Sequence, residues 1–173
     1  MTKLMNNAQF HAALAEMAAR IAVAAPKDRP VAVVGIRRRG EVLGRYLIPL
    51  LEARGVKVAH DGALDITLYR DDLTTIGPSA VTRSTEINFD ITGVWMVLVD
   101  DVLYTGRSVR AALSALNDLG RPNAIKLAVM VDRGWRELPI QPDFTGLTIE
   151  TSAANIVKVK VTELDGSDEV DMV

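Results

Sequence analysis

Two neighbouring carboxylates, Asp100 and Asp101, stand just ahead of Thr105, Gly106, Arg107 and Ser108, and these are the residues of the chain best suited to chemistry. The stretch from Val97 to Ser108 reads Val-Leu-Val-Asp-Asp-Val-Leu-Tyr-Thr-Gly-Arg-Ser. An aliphatic run ending in acids predicts a buried strand whose carboxyl end carries charge, the place where open α/β sheets bind ligands. Gly106 lets the backbone turn tightly and approach a ligand. A helix opening at Ser108 would present unpaired amides, and its dipole favours an anion. Thr105 and Ser108 add hydroxyl donors, and Arg107 adds charge. This is a nest for a phosphate monoester. The two carboxylates cannot serve that phosphate; they suit the hydroxyls of a sugar, or a metal bound to that sugar. Solvated acids at a strand end would account for Asp100 and Asp101 alone, not for the turn after them. A nucleotidase strand of Walker-B type would also end in Asp, but Gly-x-x-x-x-Gly-Lys-Ser/Thr and Gly-x-Gly-x-x-Gly are both absent.

Composition narrows the chemistry further. The chain has no cysteine and only two histidines, His11 and His60. Disulfides, thiolate metal sites, a cysteine nucleophile and a multi-histidine zinc cage are excluded. Carboxylates, arginines, hydroxyls and backbone amides must do the work. The net charge of −2 makes any anion binding local. No apolar run approaches the ~18 residues needed to span a bilayer. The N-terminus lacks an apolar signal region. The expectation is a cytoplasmic protein.

The elements that must position these residues follow from periodicity. Asn6 or Asn7 can cap a first helix, in which Phe10, Leu14, Met17 and Ile21 form one apolar stripe. Val31 to Ile36 reads as a strand buried on both faces. A loop, Arg37 to Gly40, leads into a helix from Glu41, which Gly55 can end in the left-handed conformation. Val56 to Val58 starts another strand, and Leu64, Ile66 and Leu68 alternate with polar residues as a strand would. Residues 71 to 93 are long and polar, the mark of a lid or hairpin. Trp95 to Val99 is a buried strand. Ser108 to Leu119 is a helix with Val109, Ala112, Leu113, Leu116 and Leu119 on one face. Ile125 to Val131 is a further strand, residues 134 to 146 are irregular, and Ile156 to Val161 is an edge strand with Lys158 and Lys160 facing water. With 173 residues, this predicts one α/β domain around a mainly parallel sheet flanked by helices.

The stretch from Val97 to Ser108 resembles the phosphoribosyl pyrophosphate (PRPP) motif of type I phosphoribosyltransferases. The resemblance implies that Asp100 and Asp101 are catalytic and hold the ribose 2- and 3-hydroxyls. It also implies that Val102, Leu103, Tyr104, Thr105, Gly106, Arg107 and Ser108 form the phosphate site. Purine-salvage members carry Asp where Tyr104 stands, so Tyr104 points away from purines. Three segments together are similar to the PyrR family, pyrimidine operon attenuators with uracil phosphoribosyltransferase activity. They are Asp65 to Asp72 (Asp-Ile-Thr-Leu-Tyr-Arg-Asp-Asp), Asp100 to Arg107, and Val131 to Ile140 (Val-Asp-Arg-Gly-Trp-Arg-Glu-Leu-Pro-Ile). The likeness runs from about Gly35 to the end of the chain, and the closing Asp165-Gly-Ser-Asp168 fits it.

What the resemblance implies is a reaction: uracil plus PRPP gives UMP plus pyrophosphate. Mg2+ is the implied cofactor, held near Asp100 and Asp101 through PRPP hydroxyls or water. The loop of Arg38, Arg39 and Gly40 matches the family's pyrophosphate loop, although Arg38 stands where Thr is usual; three arginines in a row could also be a solvated basic patch. Arg70 is a candidate for pyrophosphate contact or an ion pair with Asp71 or Asp72. Residues of about 71–86 match a mobile loop, and about 131–155 a hood over the base, with Val131, Asp132 and Arg133 as base contacts. Trp135 replaces the family's His. The family also binds an mRNA leader hairpin with UMP as effector. Here the first helix is poor in arginine, and residues 150–155 read Glu-Thr-Ser-Ala-Ala-Asn instead of Pro-Thr-Ser-Lys-Ser-Glu. The departures gather on the regulatory side, so catalysis is the favoured role and attenuation the alternative. A homodimer or higher homo-oligomer is expected from the family.

Overall fold

A computed structural model describes residues 1–76 and 84–173 of the chain. In chain order the elements are β1 (Thr2–Met5), α1 (Asn7–Ala24), β2 (Val31–Ile36), α2 (Arg39–Glu52), β3 (Val58–Leu64), a 3-10 turn (Thr67–Tyr69), α3 (Leu73–Ile76), β4 (Trp95–Leu103), α4 (Arg107–Leu119), β5 (Ala124–Asp132), β6 (Phe144–Thr148), β7 (Val157–Lys160), α5 (Thr162–Asp165) and β8 (Glu169–Met172). Five strands form a parallel sheet in the order β3-β2-β4-β5-β6. Parallel neighbours require crossovers, and α2 and α4 supply two of them.

Side chains alternate across the central strand. Trp95, Val97 and Val99 join a core with Phe10 and Leu14 of α1 and Leu43 and Leu47 of α2. Met96 and Leu98 join a second core with Val109, Ala112 and Leu116 of α4. The sheet is therefore sandwiched between helices, and its two aliphatic centre strands are buried because both faces are covered. Asn6 caps α1 in a reciprocal box: its side chain accepts from the Gln9 amide, and the Gln9 side chain accepts from the Asn6 amide, each at 2.9 Å. A box of this kind is worth about 1 kcal/mol.

Several expectations from the sequence need correction. The alternation of Leu64, Ile66 and Leu68 is not a strand: β3 ends at Leu64, a 3-10 turn follows, and Leu68 is exposed. Leu113 and Leu119 are also partly exposed, and Ala111 and Ala115 take their place on the buried face of α4. The irregular stretch after Gly134 contains a strand, β6, which completes the sheet beside β5. β7 is an edge strand as expected, but of a second sheet, the antiparallel β1-β8-β7 that ties the chain's two ends together. Lys158 is exposed, whereas Lys160 reaches across to Glu169 and Asp171 of β8. No helix among the described residues is long and apolar enough to cross a membrane.

Candidate active site

The site is built outward from the carboxyl end of β4. That strand runs farther than the aliphatic run suggests: its pairing with β5 continues through Val102 with Val131 and Leu103 with Asp132. Asp100 and Asp101 thus sit within the strand's last turns of ladder rather than beyond it. Asp100 is buried. Each carboxylate accepts from the amide that follows it, Asp100 Oδ1 from Asp101 N at 2.9 Å and Asp101 Oδ1 from Val102 N at 2.8 Å. Burial, reinforced by the neighbouring Asp101 charge, pushes the Asp100 carboxyl well above the usual carboxylate range. Two adjacent acids in this setting favour partners that donate hydrogen bonds or carry positive charge.

The phosphate turn follows directly. Gly106 has φ +93°, a left-handed conformation that starts α4, and no side chain caps that helix. A Cβ at Gly106 would also lie 3.3 Å from Ile140 Cδ1. Both the backbone sign and the close approach call for glycine here. The amides of Glu137 and Leu138 both donate to Thr105 O, at 3.0 and 3.1 Å, so the 131–140 segment braces the turn from outside. The Arg107 amide donates to Thr105 Oγ1 at 3.4 Å, and the Ser108 and Val109 amides are the first-turn donors left for an anion. The Arg107 guanidinium is bound to acids on both sides, Nη1 to Asp71 at 2.5 Å and Nε to Glu137 at 2.7 Å. Tyr104 is partly exposed and lies under the Arg133 guanidinium, 4.0 Å from ring centre to Cζ.

The 37–40 loop approaches the same lip from β2. The Arg37–Arg38 peptide bond is cis. Arg38 is exposed. Arg39 begins α2 and is held side-on by Asp165, Nε to Oδ2 at 3.1 Å and Nη2 to Oδ1 at 2.7 Å. That pair, and then the Asp101 charge, raise the arginine's pKa. Gly40 packs against β4 so closely that a Cβ would lie 2.3 Å from Val99 O and 3.1 Å from Asp100 Cα. The loop and the carboxylate pair are therefore brought together by a contact only glycine permits.

Arg70 is farther from this centre in its bonding. Its guanidinium grips Asp72, Nε at 2.8 Å and Nη2 at 2.6 Å. Its neighbourhood touches the site through Asp71 on Arg107 and through Tyr69 O, which accepts from Arg110. Val131 is buried in β5, and Arg133 is buried with its guanidinium on the carbonyls of Asn155 and Ser152. Asp132 accepts from Arg136 at 2.7 Å and from Gly134 N at 3.0 Å. Burial raises the Asp132 carboxyl, but these bonds outweigh it and hold it below the usual range.

The contacts of two organising residues escape a reading of the sequence. Arg136 bonds Asp132, Tyr104 O and Ile140 O, joining the phosphate turn to the 131–140 segment. Asp165, which grips Arg39, lies 126 residues away in the chain. The spacing of Asp132 and Arg136 is a faint local signal for the first; the closing Asp165-Gly-Ser-Asp168 stretch marks the second, but nothing local pairs it with Arg39. Among the described residues no group of three or more His, Cys, Asp or Glu could hold a metal ion by itself.

A carboxylate pair and a glycine-opened helix at the carboxyl edge of a parallel sheet fit a phosphoribosyltransferase, and the comparisons show that class. The model of the phosphoribosyl transferase domain matches residues 1–166. The hypoxanthine phosphoribosyltransferase of Trypanosoma cruzi superposes with a TM-score of 0.73 at 15% identity, covering 99% of this chain and 95% of that one. The enzyme from Staphylococcus aureus gives 0.72 at 15% identity, covering 98% of this chain and 90% of that one. Sequence likeness is much higher to the Bifunctional protein PyrR of Thermus thermophilus, 51% over 170 residues, which is 98% of this chain and 94% of the relative. The Bifunctional protein PyrR of Nostoc punctiforme is 45% identical, covering 99% of this chain and 96% of the relative. The chain belongs to the PyrR family of phosphoribosyltransferases.

Proposed function

We propose that the chain transfers the phosphoribosyl group of PRPP to uracil, giving UMP and pyrophosphate. The observation that carries the reading is the buried Asp100 beside Asp101, set at the head of an α4 that no side chain caps. The ribose hydroxyls donate to the carboxylates. The 5-phosphate accepts from the amides and hydroxyls of the Tyr104–Ser108 turn. Arg38, Arg39 and Gly40 receive the pyrophosphate, and Arg70 joins them by exchanging Asp72 for it. As the C1–oxygen bond breaks, positive charge grows on the ribose, and the neighbouring carboxylates stabilise it. No covalent nucleophile is needed, because positioning and electrostatics suffice.

Two carboxylates without a third ligand fit an ion held largely by PRPP and water. Asp100 and Asp101 would hold such an ion, Mg2+, and it would supply charge neutralisation of the departing pyrophosphate. Uracil is favoured over purines by Tyr104 at the position of the purine-specific acid. Val131, Asp132 and Arg133 begin the 131–155 hood, and Asp132 and Arg133 line, with Trp135 and Thr148, a shallow cavity of about 640 Å³. Backbone groups there can read the carbonyl–NH–carbonyl edge of the base. Residues 71–86 act as the closing loop, of which 77–83 lie outside the described residues. Self-association as a dimer or larger assembly belongs to the same reading.

A second reading, an attenuator that binds an mRNA leader hairpin under control of UMP, rests on the family resemblance. Internal bonding of the cations on that side favours the enzyme. Arg20 donates to Thr145 O, Arg133 to two carbonyls, and Arg136 to the hood itself. The deciding experiment measures magnesium-dependent nucleotide formation from PRPP across a panel of nucleobases. UMP formation that falls at least about a hundredfold in Asp100→Asn/Asp101→Asn is expected. A rate untouched by the double variant sinks the sugar-site assignment. Tight, specific, UMP-dependent hairpin binding that weakens with salt, without turnover, would establish the second reading instead.

A further inference from the structure

We propose that Asp165, on the turn α5 near the C-terminus, is a positioning residue for the pyrophosphate end of the site, acting through Arg39. This rests on the reading that Arg39 contacts pyrophosphate. The carboxylate holds Nε and Nη2 of Arg39 in one plane, at 3.1 and 2.7 Å. Nη1 has no hydrogen-bond partner among the described residues and is the nitrogen left to meet an anion. Asp165 is itself fixed: its Oδ2 accepts from Val161 N at 3.0 Å, its amide donates to Val161 O at 2.8 Å, and Gly166 closes the turn at φ +80°. Asp165 thus clamps one edge of Arg39, and Asp101 lies within electrostatic reach of it.

The logic is one of preorganisation. A long arginine side chain loses rotamer freedom when it binds an anion, which weakens binding. An arginine already clamped side-on has lost that freedom during folding, and its planar fork keeps the remaining N–H groups in a set direction. The same turn is pinned to α2 a second time, by Glu163 on Arg45, at a point that does not touch Arg39. Docking of the turn and orientation of Arg39 can therefore be separated by mutation.

The test uses the full chain, with titration calorimetry of magnesium pyrophosphate and steady-state kinetics in PRPP. Asp165→Asn replaces one accepting oxygen with an N–H that opposes the guanidinium. It is expected to weaken pyrophosphate binding about tenfold and raise KM for PRPP by a similar factor, the order of one charge-assisted hydrogen bond, with kcat little changed. Glu163→Gln should leave pyrophosphate affinity as it was. In an Arg39→Ala background, Asp165→Asn should have no further effect. Undiminished binding in Asp165→Asn, an equal loss in Glu163→Gln, or an additive loss on top of Arg39→Ala would each overturn the proposal. Should Arg39→Ala itself leave pyrophosphate binding intact, the pyrophosphate assignment of Arg39 fails first, and this inference with it.

Discussion

Gly40 is the point where helix propensity and packing make opposite forecasts, so its replacement is a sharp test. The residue lies in the first turn of α2, and exchanging glycine for alanine in a helix should stabilise by about 1 kcal/mol on propensity alone. The added Cβ, however, would fall 2.3 Å from Val99 O, a main-chain atom of the central strand that no rotamer change can move. Ordinary contact requires about 3.4 Å, so helix and strand must part by about 1 Å. Overpacking of this kind costs about 3 kcal/mol against a rigid neighbour, leaving a net loss near 2 kcal/mol after the propensity gain. The displaced atoms include those beside Asp100, and a misplacement of about 1 Å at reacting groups lowers turnover roughly a hundredfold. Gly44→Ala, one turn along the same helix, is the internal control. Its Cβ would meet Val33 Cγ1 at 3.4 Å, so Gly44→Ala should be neutral or stabilising by up to about 1 kcal/mol. Urea unfolding and PRPP kinetics on both variants measure the two effects. A Gly40→Ala protein as stable and as active as the parent would refute the argument.

Two further outcomes follow from the same geometry. Arg136→Ala leaves the half-buried Asp132 carboxylate and the Tyr104 and Ile140 carbonyls without their shared donor, and should destabilise by about 3 kcal/mol in urea unfolding; a loss under about 1 kcal/mol would show that the hood does not depend on it. In the β1-β8-β7 sheet, hydrogen bonds from Lys160 and then Lys3 hold the Glu169 carboxyl down to about 2. Its folded pKa lies below an unfolded value of about 4.3, so its contribution is complete above that pH and disappears as pH falls toward 2. Hydrogen exchange of β1 and β8 amides should accelerate across that window in the parent, and Glu169→Gln should flatten the change; superimposable profiles would count against the ion pairs as the cause.

Much of this protein could be read from local residue order. The α1 stripe of Phe10, Leu14, Met17 and Ile21 is buried as its spacing requires, and Asn6 caps the helix because its side chain reaches only its own first turn. Val31 to Ile36 could only be an interior strand, since it offers no polar face. The turn at Thr105–Ser108 was equally local, because a left-handed glycine at the head of a helix draws its partners from a few consecutive residues. Length and pattern were less decisive where burial comes from afar. Leu64, Ile66 and Leu68 alternate like a strand, but no neighbouring strand remains to pair with them past Leu64. β6 carries Gly146, whose Cβ would lie 2.8 Å from Met130 O, so a residue that argues against a strand is there to let two segments approach. Tertiary structure alone decided how the site closes. Gly40 against Val99, Arg136 across the hood, and Asp165 on Arg39 join elements distant in the chain, and a contact made by folding leaves no periodicity in the sequence. The sequence by itself determined which groups stand side by side at the end of β4 and the head of α4; the fold determined which distant groups hold them there.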